Sequence, residues 1–209
     1  MKILKVISAF VSLFLLLSVY SCTNKNESIF MATSDISKLV ISFDFEKQSG
    51  NASNQFAVWI EDMDGKFIKT LYATRFTANG GYKNRPEALP TWVEKSNLVS
   101  MNKTDIDAIT SATPETGFLY YIWDLTDKSG NKVPISEYSF FVEGNLRWNN
   151  RILYSGTIKL NNDFVPVTAQ AKAEFIYEAS DGQPALSKDS PENEMIGPVT
   201  ANFQPGTKN

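Results

Sequence analysis

The stretch DAITSATPETGFLYYIWDLTDKSGNKVPISEYSFFVEG, Asp107 to Gly144, decides the fold. Phe118 to Trp123 is an aromatic and β-branched run, a composition that suits a pleated, half-buried surface. Asp127-Lys128-Ser129-Gly130-Asn131 has turn chemistry, and Gly130 is free to take positive φ. Tyr138, Phe140 and Val142 then alternate with Ser139, Phe141 and Glu143, a period of two. The spacing predicts a strand, a tight loop and a second strand, paired as a hairpin. Asp107 to Gly117 reads as a polar loop leading into the first of them.

Working outward, Ser37 to Glu46 is a clear strand: Val40, Ser42 and Asp44 alternate with Ile41, Phe43 and Phe45. Phe56 to Glu61 and Phe67 to Tyr72 flank Asp64-Gly65, a strong hairpin signal. Asp62-Met63-Asp64-Gly65 is similar to the start of a calcium loop, but the later ligands and the bidentate Glu are missing. Arg75 to Leu98 interrupts the strands with a short helical insertion. There Thr91 fits an N-cap, Glu94 completes a capping box, and Trp92 docks on the sheet by its apolar area. Strands follow at Asn150 to Leu160 and Thr168 to Tyr177, and Ile196 to Phe203 reads as a last one. Two hairpins with aromatic strands imply an all-β, Ig-like antiparallel β-sandwich over residues 37–178, with an extended tail over 179–209 that adds one strand.

Composition narrows the chemistry. There is no histidine and only one cysteine. That removes the commonest general base, Ser-His and Cys-His pairs, disulfides and thiolate metal sites. Residues 1–21 read as a lipoprotein signal peptide: Lys2 and Lys5, then an apolar run from Val6 to Val19 that is short for a membrane span. Val19-Tyr20-Ser21-Cys22 resembles a bacterial lipobox, which implies acylation of Cys22 and a membrane anchor. Residues 22–36 then form a flexible tether, in the periplasm or at the cell surface. Taking away Lys2 and Lys5 with residues 1–21 leaves 18 basic and 23 acidic residues, a net charge of −5, which argues against a nucleic-acid partner.

Several ordered blocks resemble the DUF2271 family of predicted periplasmic proteins. They are Ala57-Val58-Trp59-Ile60-Glu61-Asp62 with Gly65 and Thr70-Leu71; Arg85-Pro86 to Trp92; and Asp107 to Pro114 with Gly117, Trp123-Asp124, Thr126-Asp127, Gly130 and Tyr138 to Glu143. The resemblance covers roughly Ser37 to Leu160. The Trp-Asp, Thr-Asp, Gly, Tyr order is also similar to the Ig-like module of flagellar hook-assembly scaffolds. Leu125 replaces a glycine of the family pattern, and Ser136 stands near another. The family carries no assigned catalytic activity.

Inside this region Asp107-Ala108-Ile109-Thr110-Ser111-Ala112-Thr113 resembles the acceptor motif of covalently flavinylated extracytoplasmic domains. Asp107, Thr110, Ala112 and Thr113 match it, and Ser111 stands where glycine is usual. The resemblance implies that an ApbE-type flavin transferase joins FMN to the Thr113 hydroxyl, with Asp107 as a recognition residue. It also implies membrane PepSY-type redox proteins as partners. The alternative is a turn in which Asp107 and Thr110 bond local backbone amides. Lesser candidates are a cation held by Asp124 and Asp127 with Asp62 or Asp64, and a sugar or peptide platform from Trp92, Trp123 or the Arg147-Trp148 pair.

Three functions are compatible with this reading. The first is a lipid-anchored, non-catalytic accessory or scaffold protein of an extracytoplasmic flavin-linked redox system. The second is a covalent FMN carrier modified at Thr113. The third is a binding module for a peptide, glycan or metal.

Overall fold

The run Phe56-Ala57-Val58-Trp59-Ile60 is apolar at every position, so a strand there needs cover on both faces. It has it. In the computed structural model, which describes residues 36–50, 53–147, 150–161, 163, 165–176 and 195–206, the strand β2 (Gln55–Asp62) is buried along nearly its whole length. Phe56, Val58 and Ile60 enter a core between two sheets. Ala57 and Trp59 enter a second core on the opposite face.

The described strands form two sheets. Strand β1 (Lys38–Phe45) lies between β5 (Gly117–Trp123) and β10 (Thr200–Gln204), with β8 (Val167–Gln170) outside β10. The larger sheet runs β4 (Thr110–Ser111), β3 (Phe67–Thr74), β2, β6 (Glu137–Arg147), β7 (Asn150–Lys159) and β9 (Lys172–Ile176). All pairs are antiparallel except β3 with β4. Leu39, Ile41, Phe43 and Phe45 of β1 face Phe140, Val142, Ile152 and their neighbours across the inner core. The fold is an all-β sandwich with a helical insertion, and it fits an Ig-like arrangement.

The β2–β3 hairpin forms as the sequence predicts. Gly65 sits at φ 76°, a value that favours glycine. The second expected hairpin does not form. Strand β5 pairs with β1 in the smaller sheet, whereas β6 pairs with β2 and β7 in the larger one. Asp127 to Asn131 does turn, with Gly130 N–H on the Asp127 carbonyl at 3.0 Å, but the turn closes a small loop of its own inside a crossing between sheets. Trp123 and Tyr138 then meet edge-on across the core, with ring centroids 4.9 Å apart. A period of two tells which side chains point inward; it does not tell which sheet a strand joins. For the same reason the strand expected over Thr168 to Tyr177 is two strands, β8 and β9, in different sheets, and the switch falls at Ala171.

The helical insertion runs further than Leu98. It holds α1 (Arg75–Ala78), α2 (Pro90–Lys95), α3 (Lys103–Ile109) and two 3₁₀ turns. Helix α2 starts two residues earlier than expected. Leu89, not Thr91, is its N-cap, with Pro90 at the first position and no side-chain cap. The segment read as a polar loop from Asp107 begins inside α3, which Asn102 caps by accepting from the Asp105 N–H at 2.9 Å. Leu125 adopts φ 57°, the left-handed conformation that a family glycine takes freely. Its side chain is buried, so apolar area offsets the backbone cost. Readings of residues 1–35, with Cys22, and of Trp148 lie outside the described residues.

Candidate functional site

The stretch 107–113 spans three local structures. Asp107 is on the exposed face of α3. Thr110 and Ser111 form β4, which lies parallel to the end of β3, opposite Ala73 and Thr74. Ala112 and Thr113 follow as irregular chain, Ala112 exposed and Thr113 half-buried.

Two anchors fix this chain. Before Thr113, the Tyr72 hydroxyl donates to the Ala112 carbonyl at 3.0 Å. After it, the Thr116 hydroxyl accepts from the Lys47 N–H at 3.0 Å, and the Lys47 ammonium pairs with Glu115 at 2.8 Å. Thr113 and Pro114 lie between these points.

The side chains of the stretch do not do the work of a turn. Among the described residues the Asp107 carboxylate and the Thr113 hydroxyl have no hydrogen-bond partner, and the Thr110 hydroxyl is buried without one. Only Ser111 bonds locally, donating to the Ala112 carbonyl at 3.3 Å. The expectation that Asp107 and Thr110 bond nearby amides is therefore corrected.

Beneath the stretch lies an aromatic cluster. The Tyr72 ring stacks on Phe56 at 4.8 Å and meets Tyr121 at 4.8 Å. Burial pushes the Tyr72 hydroxyl up to about 12, and a hydrogen bond with Ser111 opposes it. Burial, with Tyr72 beside it, also raises Tyr121. Both phenols are neutral at ordinary pH, and Tyr72 acts as a hydrogen-bonding group.

A cleft of about 530 Å³ opens beside α3, between the helical insertion, the β3 edge and Ile122 of β5. A second, of about 550 Å³, lies under the β2–β3 turn and holds Asp62, Asp64 and Asp127. Those acids are largely engaged. Asp62 accepts from the N–H groups of Asp64 and Lys66, and Asp127 from those of Ser129 and Asn131. The bonds from Asn131 and Ser129 hold the Asp127 carboxyl below its usual range. Asp124 faces elsewhere and pairs with Lys69 at 3.0 Å. Burial raises its carboxyl, but hydrogen bonds from Thr126 and Lys69 outweigh that and lower it. Among the described residues no group of three or more potential ligands could hold a metal ion. Trp92 and Trp123 are fully buried, so neither is a platform for a sugar.

A family model described as a predicted periplasmic protein, DUF2271, matches residues 38–177. The chain belongs to the DUF2271 family. No curated protein matches it, and no solved structure does. The matched DUF2271 region takes in the described strands β1 to β9, the insertion and the whole of 107–113. The first cleft is what sequence reasoning missed. Its signal was a helix at Lys103–Ile109: Asn102 as N-cap, then Ile106 and Ile109 three apart.

Proposed function

We propose that this DUF2271 protein is an exported, lipid-anchored, non-catalytic component of an extracytoplasmic flavin-linked redox system. Membrane attachment is through Cys22, and the protein works by contact with membrane redox proteins. One observation carries the reading. The fold pins the chain on either side of Thr113, yet the Asp107, Thr110 and Thr113 side chains serve no described hydrogen bond. Of these, Asp107 is exposed and Thr113 half-buried, and side chains with no structural task on such a segment are available to an outside partner.

The sharper form of this reading is that Thr113 carries FMN, with Asp107 recognised by a flavin transferase. Exposed Ser111 and Ala112 allow close approach, and the Thr113 oxygen is free to attack the pyrophosphate of a flavin dinucleotide: the O–P bond to the FMN phosphate forms, the P–O–P bond breaks, the adenosine monophosphate leaves and the hydroxyl proton is lost. The protein then supplies position and electrostatics, and the flavin supplies the redox chemistry. The test is the intact mass of the mature protein after co-expression with a flavin transferase, beside Thr113→Ala. A gain of one FMN less water, absent from the variant, is expected. An unmodified mass, with the transferase active on a control substrate, would leave the scaffold role alone. Co-purification with membrane redox proteins then decides that role.

A further inference from the structure

We infer that the cleft beside α3 is the seat of the isoalloxazine ring of an FMN carried on Thr113. The inference rests on the flavin reading above and adds the place where the ring lies.

Three observations converge on this cleft. The first is proximity. Ala108 and Ile109 line it, and Thr113 is four residues on from Ile109. An extended chain spans at most ~3.6 Å per residue, so Thr113 stands within about 14 Å of that wall, on the scale of FMN itself. The second is size: about 530 Å³ falls in the range of pockets that hold cofactors, roughly 300–1,000 Å³. The third is chemistry. Leu71, Ile109 and Ile122 give the cleft apolar walls suited to a planar aromatic face, and Ile122 is 51% exposed with nothing described covering it.

Charge is also placed to suit. Lys69 is taken up by Asp124 and Thr126. Lys128 is exposed at the rim, and its root is fixed because its own N–H donates to the Ile68 carbonyl at 3.0 Å. Asp105 is the one acid on the lining, and it bonds Asn102 at 2.8 Å. The Lys128 ammonium would reach a ring lodged in the cleft, and a cation there would suit the flavin's carbonyl oxygens and tune the ring's electronics.

The experiment uses the full mature protein, loaded by a flavin transferase. It compares wild type with Ser100→Trp, which fills the cleft from an exposed position of the insertion outside 107–113, and with Ile122→Glu, which alters the opposite wall. Circular dichroism checks that each variant folds. Flavin emission and anisotropy are the readouts. In the wild type the ring is held, with high anisotropy. In both variants the FMN mass gain persists, anisotropy falls and emission rises severalfold. A mass gain with identical emission and anisotropy in all three proteins overturns the cleft and leaves Thr113 standing. Absence of the mass gain in wild type overturns both.

Discussion

The two faces of the larger sheet are held in different ways. The inner face is apolar throughout, and its few polar tips reach out of it. Tyr138 donates to the Pro134 carbonyl at 2.8 Å, Tyr154 to the Ile196 carbonyl at 2.9 Å and Tyr72 to the Ala112 carbonyl at 3.0 Å. The outer face has a small apolar centre around Trp59 and Trp92, ringed by buried polar groups. Trp59 donates to Glu61 at 2.8 Å, and Glu61 also pairs with Lys95 at 3.0 Å. Trp92 donates its indole N–H to Thr70 at 3.0 Å. Glu143, fully buried, accepts from the Trp92 backbone N–H at 2.9 Å and pairs with Arg151 at 2.9 Å.

The difference follows from what each face has to hold. Long strands with a period of two bury area and need no directional help. The insertion is made of short helices that cannot stand alone. The first amides of α2 lack partners within the helix, and a carboxylate placed there satisfies them and suits the helix dipole. Glu143 thus fixes where the insertion sits, while apolar area fixes that it sits.

The largest effect should come from the inner face. Phe140→Ala removes a fully buried ring and should cost about 3–5 kcal/mol, read as a lower urea midpoint with an unchanged slope. Protection of β1, β2 and β6 amides from exchange should fall together. Glu143→Ala comes next, at about 3 kcal/mol, because it removes the buried carboxylate that Arg151 and the α2 amides share. Its signature is local: amides of Pro90–Lys95 lose protection while those of β1 keep theirs. Equal loss in β1 would break the distinction between the two faces.

The smallest effect is at high pH. The Tyr72 hydroxyl is raised from its ordinary value of 10.0 to about 12, so the folded state holds its proton longer than the unfolded chain does. That contribution is fully present below pH 10.0 and is lost as pH rises through about 12. Tyr72→Phe should therefore flatten the fall in urea midpoint across this window. An unchanged slope would assign the alkaline loss to Tyr121, Tyr138 and Tyr154, which burial also raises.

The inner face was legible in the sequence because alternation records which side is buried. The β2–β3 turn was legible from Asp64-Gly65. Sheet membership was not, as β5 and β6 show: neighbours in sequence with matching patterns, they part because β1 and β2 each offer an open edge. Nor was Glu143, since an acid at an outward position reads as solvated until an insertion covers it. At the candidate site Thr113 was named by resemblance. The cleft was not, because its walls come from residues as far apart as Phe67 and Ser129.

Strand β10 has a consequence for the order of events. Lys38 lies opposite Gln204 and Leu39 opposite Phe203, so the smaller sheet joins the two ends of the described chain. Closing so long a loop is slow and depends on the last segment being present. Until residue 204 emerges from the ribosome, β1 lacks one neighbour and the side chains of Ala201 and Phe203 are missing from the inner core. The sandwich thus stays unfinished until its last described strand has been made.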